Sequence, residues 1–377
     1  MAAGDGPFAL DRPAPPPPLP SRRQVMAGRI KLGLLFAGCF LASTLALGIA
    51  ARIALPPAEI VELTGKFHPL VRQDDGVDTI VIGSSRVLRD FMPSAFDAGA
   101  AAAGCPLHSY NLGVADMNVI EMRYLLRRVA AARLPHLKRI LFDPPNDIHV
   151  SFANLHSERM WVTTDPRDAL RALGDIWSHP DPRKFSATAR YTAAFVYRNS
   201  ALGLLGRILH PGPVPDPPWP DSIDATGFQA QDPAAATTDP SRALMLQTFD
   251  QFKAQLAQLE RQDAGDLPPA PIAAGQERRR IAGILEVAAL IRGMGYQPAV
   301  LHLPDTYGEA ITDAKDIERA LSEQQPPIPD IDLMGSEWAP RIYKPDAWYD
   351  RTHLNRTAAG EASADAGASL CRQLGGG

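Results

Sequence analysis

Apolar and polar positions divide the chain into stretches of different character. Leu32 to Ala51 is an uncharged apolar run of about the 20 residues an α-helix needs to cross a bilayer. After a connecting stretch, short β-branched runs alternate with helical patterns. Val77–Ile82, Leu107–Leu112 and Lys138–Phe142 predict three strands. Between them lie an alanine-rich helix, Pro93–Ala103, and an amphipathic one, Met117–Ala132, with Met117, Ile120, Tyr124, Leu125 and Val129 on one face. From 151 to 275 the rhythm changes to helical runs at Arg167–Trp177, Ala187–Ile208 and Ser241–Arg261, separated by Pro-, Gly- and Asp-rich loops without a strand pattern. The earlier rhythm resumes with a helix at Glu277–Met294, strands at Ala299–Leu303 and, more weakly, Ile331–Met334, and a terminal helix at Arg356–Gln373.

A βαβαβ order implies a parallel sheet covered by helices on both faces. The expected fold class is therefore α/β, a three-layer α/β/α domain, carrying a helical insertion over the sheet edge and an N-terminal transmembrane helix. The division is a Pro-rich tail (1–29), an anchor (30–52), a linker (53–75), the α/β domain in two parts (76–150 and 276–377) and the insertion (151–275).

Composition narrows the classes. The chain has 377 residues, 45% of them hydrophobic, enough for a substantial core. A net charge of −4 and the lack of a basic, aromatic-interleaved stripe set nucleic acid aside. Many of the 36 prolines cluster in the tail and in connecting segments. Arg22, Arg23, Arg29 and Lys31 precede the apolar run and Arg52 stands almost alone after it, which orients the N-terminus to the cytoplasm and the remaining chain outside. Ser21-Arg22-Arg23-Gln24 also fits a twin-arginine export signal with a cleavage site around Ala46 to Ala51; an uncleaved anchor is the preferred reading, and both export the domain. Cys39, Cys105 and Cys371 are too dispersed for a zinc site, and no metal or cofactor is expected. Cys105 and Cys371 fall at the same sheet edge, where two separate buried thiols are preferred and an oxidising compartment permits a bridge.

The candidate chemistry begins at Gly83-Ser84-Ser85, directly after the first strand. A hydroxyl at a strand-to-helix turn sits at the carboxyl edge of a parallel sheet, where open α/β folds place their sites. By itself such a serine is more commonly a helix cap. Serine becomes a nucleophile when a base removes its proton and a third group orients that base. Asp350 and His353, three residues apart in a loop before the last helix, supply both roles at the same sheet edge.

With Asn111-Leu112-Gly113 after the second strand and Asp350-Arg351-Thr352-His353-Leu354-Asn355 before the last helix, the order resembles the SGNH (GDSL-type) hydrolase superfamily, over about residues 76–147 and 297–373. The resemblance implies a flavodoxin-like fold with Ser85 as nucleophile, in a G-S-S where the family has G-D-S. It also implies His353 as base, Asp350 as its orienting acid and Gly113 as an oxyanion donor. The family's G-x-N-D is here Pro144-Pro145-Asn146-Asp147, so Asn146 is the expected second oxyanion group, with Asn118 as a substitute. Arg86 either holds an anionic substrate group or pairs with an acid such as Asp90. Trp161, Trp177, Tyr191, Phe195 and Tyr197 read mainly as packing, with a substrate groove as the alternative, and Trp348 and Tyr349 divide equally between loop packing and stacking on a sugar.

Within the superfamily, the single anchor resembles the membrane-bound branch that acts with polytopic O-acyltransferases on bacterial envelope polymers, as in alginate acetylation and teichoic-acid D-alanylation. The resemblance implies a periplasmic serine esterase or O-acyltransferase on the inner membrane, acting on acyl, chiefly acetyl, esters of an envelope glycan. The rival expectation is a catalytically silent docking protein of the same fold.

Overall fold

The computed structural model describes residues 21–54, 65–73, 76–144, 158–178, 183–205, 222–232, 274–304, 314–334, 338–342, 344–350 and 352–375. Leu63, Leu209, Arg242, Ala243, Leu246 and Phe249 are described singly. Five strands, β1 (Thr79–Ile82), β2 (Ser109–Asn111), β3 (Arg139–Phe142), β4 (Gln297–His302) and β5 (Asp330–Asp332), form one parallel sheet in the order β2-β1-β3-β4-β5. This is the doubly wound order of flavodoxin-like folds, in which the winding reverses between β1 and β3 and leaves a crevice at their carboxyl ends.

β1 and β3 read as continuous apolar runs because both of their faces are covered. Ile80, Ile82, Ile140 and Phe142 enter one core cluster. Val81 and Leu141 point the other way, into a second. The first cluster is closed by α2 (Phe67–Gln73), α5 (Val119–Ala132), α9 (Ala274–Gly293) and α10 (Ala314–Ser322). The second is closed by α3 (Ser85–Asp90), α4 (Pro93–Ala102), α11 (Ala339–Ile342) and α12 (Arg356–Gly375). The expected three-layer arrangement is thus observed. The 53–75 stretch is more than a linker, because Leu63, Lys66, Phe67 and Leu70 are buried in the core.

α5 starts at Val119, two residues later than its apolar pattern suggests. Asn118 caps it, its Oδ1 accepting from the N–H groups of Ile120 (2.9 Å) and Glu121 (3.0 Å), and Glu121 returns a bond to the Asn118 N–H. α4 and α12 pack at backbone contact. A Cβ on Gly99 would stand 1.8 Å from the Ala364 carbonyl oxygen, and one on Gly367 2.0 Å from that of Phe96. Their ends are joined by a Cys105–Cys371 disulfide with Cα atoms 5.8 Å apart, so the bridge replaces the separate thiols preferred from the sequence.

The insertion contributes α6 (Glu158–Thr163), α7 (Pro166–Ser178) and α8 (Lys184–Asn199). α6 is fastened to the sheet edge by a buried pair in which Arg159 Nε and Nη2 meet Glu121 Oε1 and Oε2 at 2.9 and 2.6 Å. The expected helix from Ala187 to Ile208 ends at Asn199, where Ser200 turns to extended backbone and its N–H reaches the Tyr197 carbonyl. Of the expected Ser241–Arg261 helix, only Arg242, Ala243, Leu246 and Phe249 lie among the described residues. Tyr191 and Phe195 pack on the core, whereas Trp177 and Tyr197 are exposed; the Trp161 side chain lies outside the described residues.

α1 (Arg22–Ala54) is long and apolar enough to cross a membrane. It is exposed along most of its length and meets the domain through Thr44, Gly48 and Ala51.

Candidate active site

The turn after β1 is dictated by close packing. A Cβ on Gly83 would lie 2.4 Å from Val87 Cγ2 and 2.9 Å from Asp143 Cβ, so the chain turns there only as glycine. Ser84 is the extended N-cap of α3 and its Oγ accepts from the Arg86 N–H at 3.4 Å. The capping role thus falls to Ser84 and leaves Ser85, the first helical residue, free to present its hydroxyl.

That hydroxyl meets the far end of the chain. Ser85 Oγ lies 2.9 Å from His353 Nε2, and His353 Nδ1 lies 2.8 and 2.9 Å from Asp350 Oδ2 and Oδ1. With Nδ1–H donated to the carboxylate, Nε2 is left to accept the serine proton. Asp350 Oδ1 also accepts from the Thr352 N–H (2.8 Å), the His353 N–H (2.9 Å) and Thr352 Oγ1 (3.1 Å). Burial opposes the charge on Asp350, but the bonds from His353 and Thr352 outweigh it and lower its pKa to about 2.

The loop is held from several sides. Trp348 bridges to Leu354 in antiparallel fashion and is wholly buried, its Nε1 donating to the Ile342 carbonyl at 2.9 Å, so loop packing is its role. Asn355 caps α12 through the N–H groups of Thr357 and Ala358, both at 3.1 Å. Leu354 N–H donates to Asp90 Oδ1 at 2.9 Å. Burial pushes the Asp90 carboxyl well above the usual carboxylate range; the Leu354 bond and Arg86 and Arg89 act against this and Asp350 adds to it.

Arg86 is turned away from solvent. It is buried, with Nη2 3.0 Å from the equally buried Asp143 Oδ2 after β3, so the structure gives the ion-pair alternative, with Asp143 rather than Asp90 as a partner. Among the described residues, the cation beside Ser85 and His353 is Arg89, one helical turn on. Its Nη1 lies 3.3 and 3.5 Å from the two ring nitrogens of His353, and its Nε donates to Gln229 Oε1 at 3.2 Å. Sequence reasoning passed over Arg89; its i+4 spacing from Ser85 was the available signal.

Gly113 is placed beside α3, where a Cβ would stand 2.2 Å from the Leu88 nitrogen. Its N–H, expected to face an oxyanion, instead donates to Asn111 Oδ1 at 2.8 Å. Asn111 is a buried hub. Its Nδ2 donates to the carbonyls of Val87 (2.5 Å) and Phe91 (2.7 Å), and its Oδ1 also accepts from Lys66 Nζ at 3.0 Å. Burial lowers the Lys66 pKa well below the usual lysine value, with Asp224 acting to raise it. Asn118, the substitute oxyanion group, has its side-chain oxygen committed to the cap of α5. Asn146 lies outside the described residues. The Ser85 N–H, in the first turn of α3, belongs to the class of helix N–H groups without an intrahelical acceptor.

A strap from 222 to 232 borders the site. Asn111 N–H donates to Thr226 O (2.9 Å), Gln229 N–H to Leu88 O (2.9 Å) and Arg356 N–H to Gln231 O (3.1 Å). Among the described residues, no three His, Cys, Asp or Glu side chains gather as a metal ion would require. Comparison with protein-family models, curated proteins and solved structures returned no match.

Proposed function

We propose that the chain is a membrane-anchored serine esterase or O-acyltransferase of SGNH type. In this reading it faces the periplasm from the inner membrane and acts on acyl, chiefly acetyl, esters of an envelope glycan. The observation that carries the reading is the Ser85–His353–Asp350 relay, with contacts of 2.9 and 2.8 Å between groups 268 and 3 residues apart in sequence. Ser85 Oγ attacks the ester carbonyl as its proton passes to His353 Nε2, and Asp350 stabilises the imidazolium. The tetrahedral intermediate collapses by breaking the bond to the leaving alkoxide, which takes the proton from His353. Water or a sugar hydroxyl then attacks the acyl-serine by the same route in reverse. Its oxyanion falls to the Ser85 N–H and, once released from Asn111, to Gly113. Arg89 is suited to an anionic group next to the ester.

Transfer would need an acyl donor delivered across the membrane, which assigns a polytopic membrane O-acyltransferase as partner. The second reading, a silent docking protein of the same fold, draws on the Gly113 N–H being occupied by Asn111. Hydrolysis of p-nitrophenyl acetate by the full chain in detergent, beside Ser85→Ala and His353→Ala, separates the two. The proposal expects turnover lost in both variants, and equal background rates in all three proteins would favour docking.

A further inference from the structure

The proposed chemistry makes no use of the outward face of α8. That helix carries no acidic residue. Its exposed side runs through Phe185, Ser186, Ala189, Thr192, Ala193 and Tyr197, with Arg190 at the edge. A surface helix ordinarily shows charged and polar residues to water. Here Phe185 is 67% exposed and Tyr197 54%, and the turn that follows exposes Leu202 and Leu205 at 51% each. At the start of the helix, Phe185 meets the exposed Trp177 of α7 edge-on at 5.1 Å, and the Lys184 ammonium lies 5.2 Å above the Trp177 ring.

This face is continuous with the apolar helix. Ala201 N–H donates to the Thr44 carbonyl at 2.8 Å, and a Cβ on Gly48 would lie 2.0 Å from the Asn199 oxygen. Leu204, in the same turn, packs against Ala51. At 1.5 Å per residue, Thr44 lies roughly 10 Å along α1 from Ala51, where the apolar run ends. Interfacial helices seat their apolar faces at about 5–10 Å below the headgroups.

Resting on the reading that Leu32–Ala51 spans the bilayer, we infer that α8 and the turn after it lie in the interface of the outer phospholipid leaflet. Lipid covers the exposed face, Trp177, Phe185 and Tyr197 sit at headgroup level as interfacial aromatics do, and Lys184 reaches the lipid phosphates. This second contact fixes the rotation of the domain about α1 and holds Ser85 at a set height above the membrane.

The test is the full chain in vesicles of phosphatidylcholine and phosphatidylglycerol, in a Cys39→Ser background, with a nitroxide at Ala193→Cys or Leu202→Cys. Leu34→Cys in α1 and Ala102→Cys, exposed on α4, serve as lipid and water references. Collisions with oxygen should exceed those with a water-soluble nickel complex several-fold at 193 and 202, as at 34, and the order should reverse at 102. Labels at 193 and 202 that behave like the one at 102, while 34 stays in lipid, would overturn the inference and leave the anchor standing. An aqueous label at 34 would remove the spanning reading and this one with it. Labels at 193 and 202 shielded from both reagents would assign the face to a second copy of the chain instead.

Discussion

At the residue scale, the two neighbouring cations carry opposite expectations. Arg86→Ala removes an ion-pair partner of buried Asp143 and should lower stability by up to about 3–5 kcal/mol, read by chemical denaturation. Arg89→Ala removes a half-buried group and should leave the denaturation midpoint near that of the parent. It should instead raise KM for esters bearing a carboxylate or phosphate more than for neutral ones. Asp90 predicts a pH effect of definite sign. A carboxyl whose folded pKa is raised loses stability as pH climbs from its unfolded value, about 4, toward the folded one. Asp90→Asn should therefore gain stability relative to the parent as pH rises above about 4, measured as midpoints across pH; a constant offset would contradict this. Asp350 has the opposite sign. Its contribution is complete above about pH 4 and is lost as pH falls through about 2, so an acid limb near neutrality in an activity profile would not belong to it. Ser85, Asp350 and His353 were legible because their order along the chain is distinctive. Arg86 stood between a substrate contact and an ion pair because sequence does not say which side of a one-turn helix faces the core, and the structure gives an ion pair, with Asp143. The state of the Gly113 N–H was not legible, because the Asn111 side chain that occupies it folds back from two residues away.

At the element scale, the triad is assembled by one helix pair. α3 carries Ser85 and leads into α4, α12 begins just after His353, and α4 and α12 touch at Gly99 and Gly367. Gly367→Leu would drive a side chain into the Phe96 carbonyl, so it should destabilise by about 1–3 kcal/mol or more and lower turnover together with stability. The Cys105–Cys371 bridge closes a separation of 266 residues between these helices, and its removal in Cys105→Ser/Cys371→Ser should cost about 2–5 kcal/mol, read in the same denaturation assay. The parallel strands and long helices were readable from their periods because burial on both faces leaves unbroken apolar runs. α2 was not, since seven residues with a proline, a histidine and an arginine look like a connector until Leu63, Phe67 and Leu70 are seen to be buried. The end of α8 was missed for a similar reason: the stop at Ser200 is set by contact with α1, which local pattern does not contain.

At the scale of the whole molecule, a sheet with a β1/β3 switch point places Ser85 at its carboxyl edge, and the insertion borders that edge through α6 and the 222–232 strap. The apolar helix α1 meets the insertion at the end of α8 and the turn after it, so this helix, the insertion and the site form one connected assembly. The account stands on Ser85 being a nucleophile activated by His353. The most direct measurement is labelling of the full chain with a fluorophosphonate, followed by mass spectrometry of the modified peptide. The account predicts a single adduct on Ser85, absent in Ser85→Ala and slowed by on the order of 10³-fold or more in His353→Ala. No adduct, or one formed as fast in His353→Ala as in the parent, would contradict it.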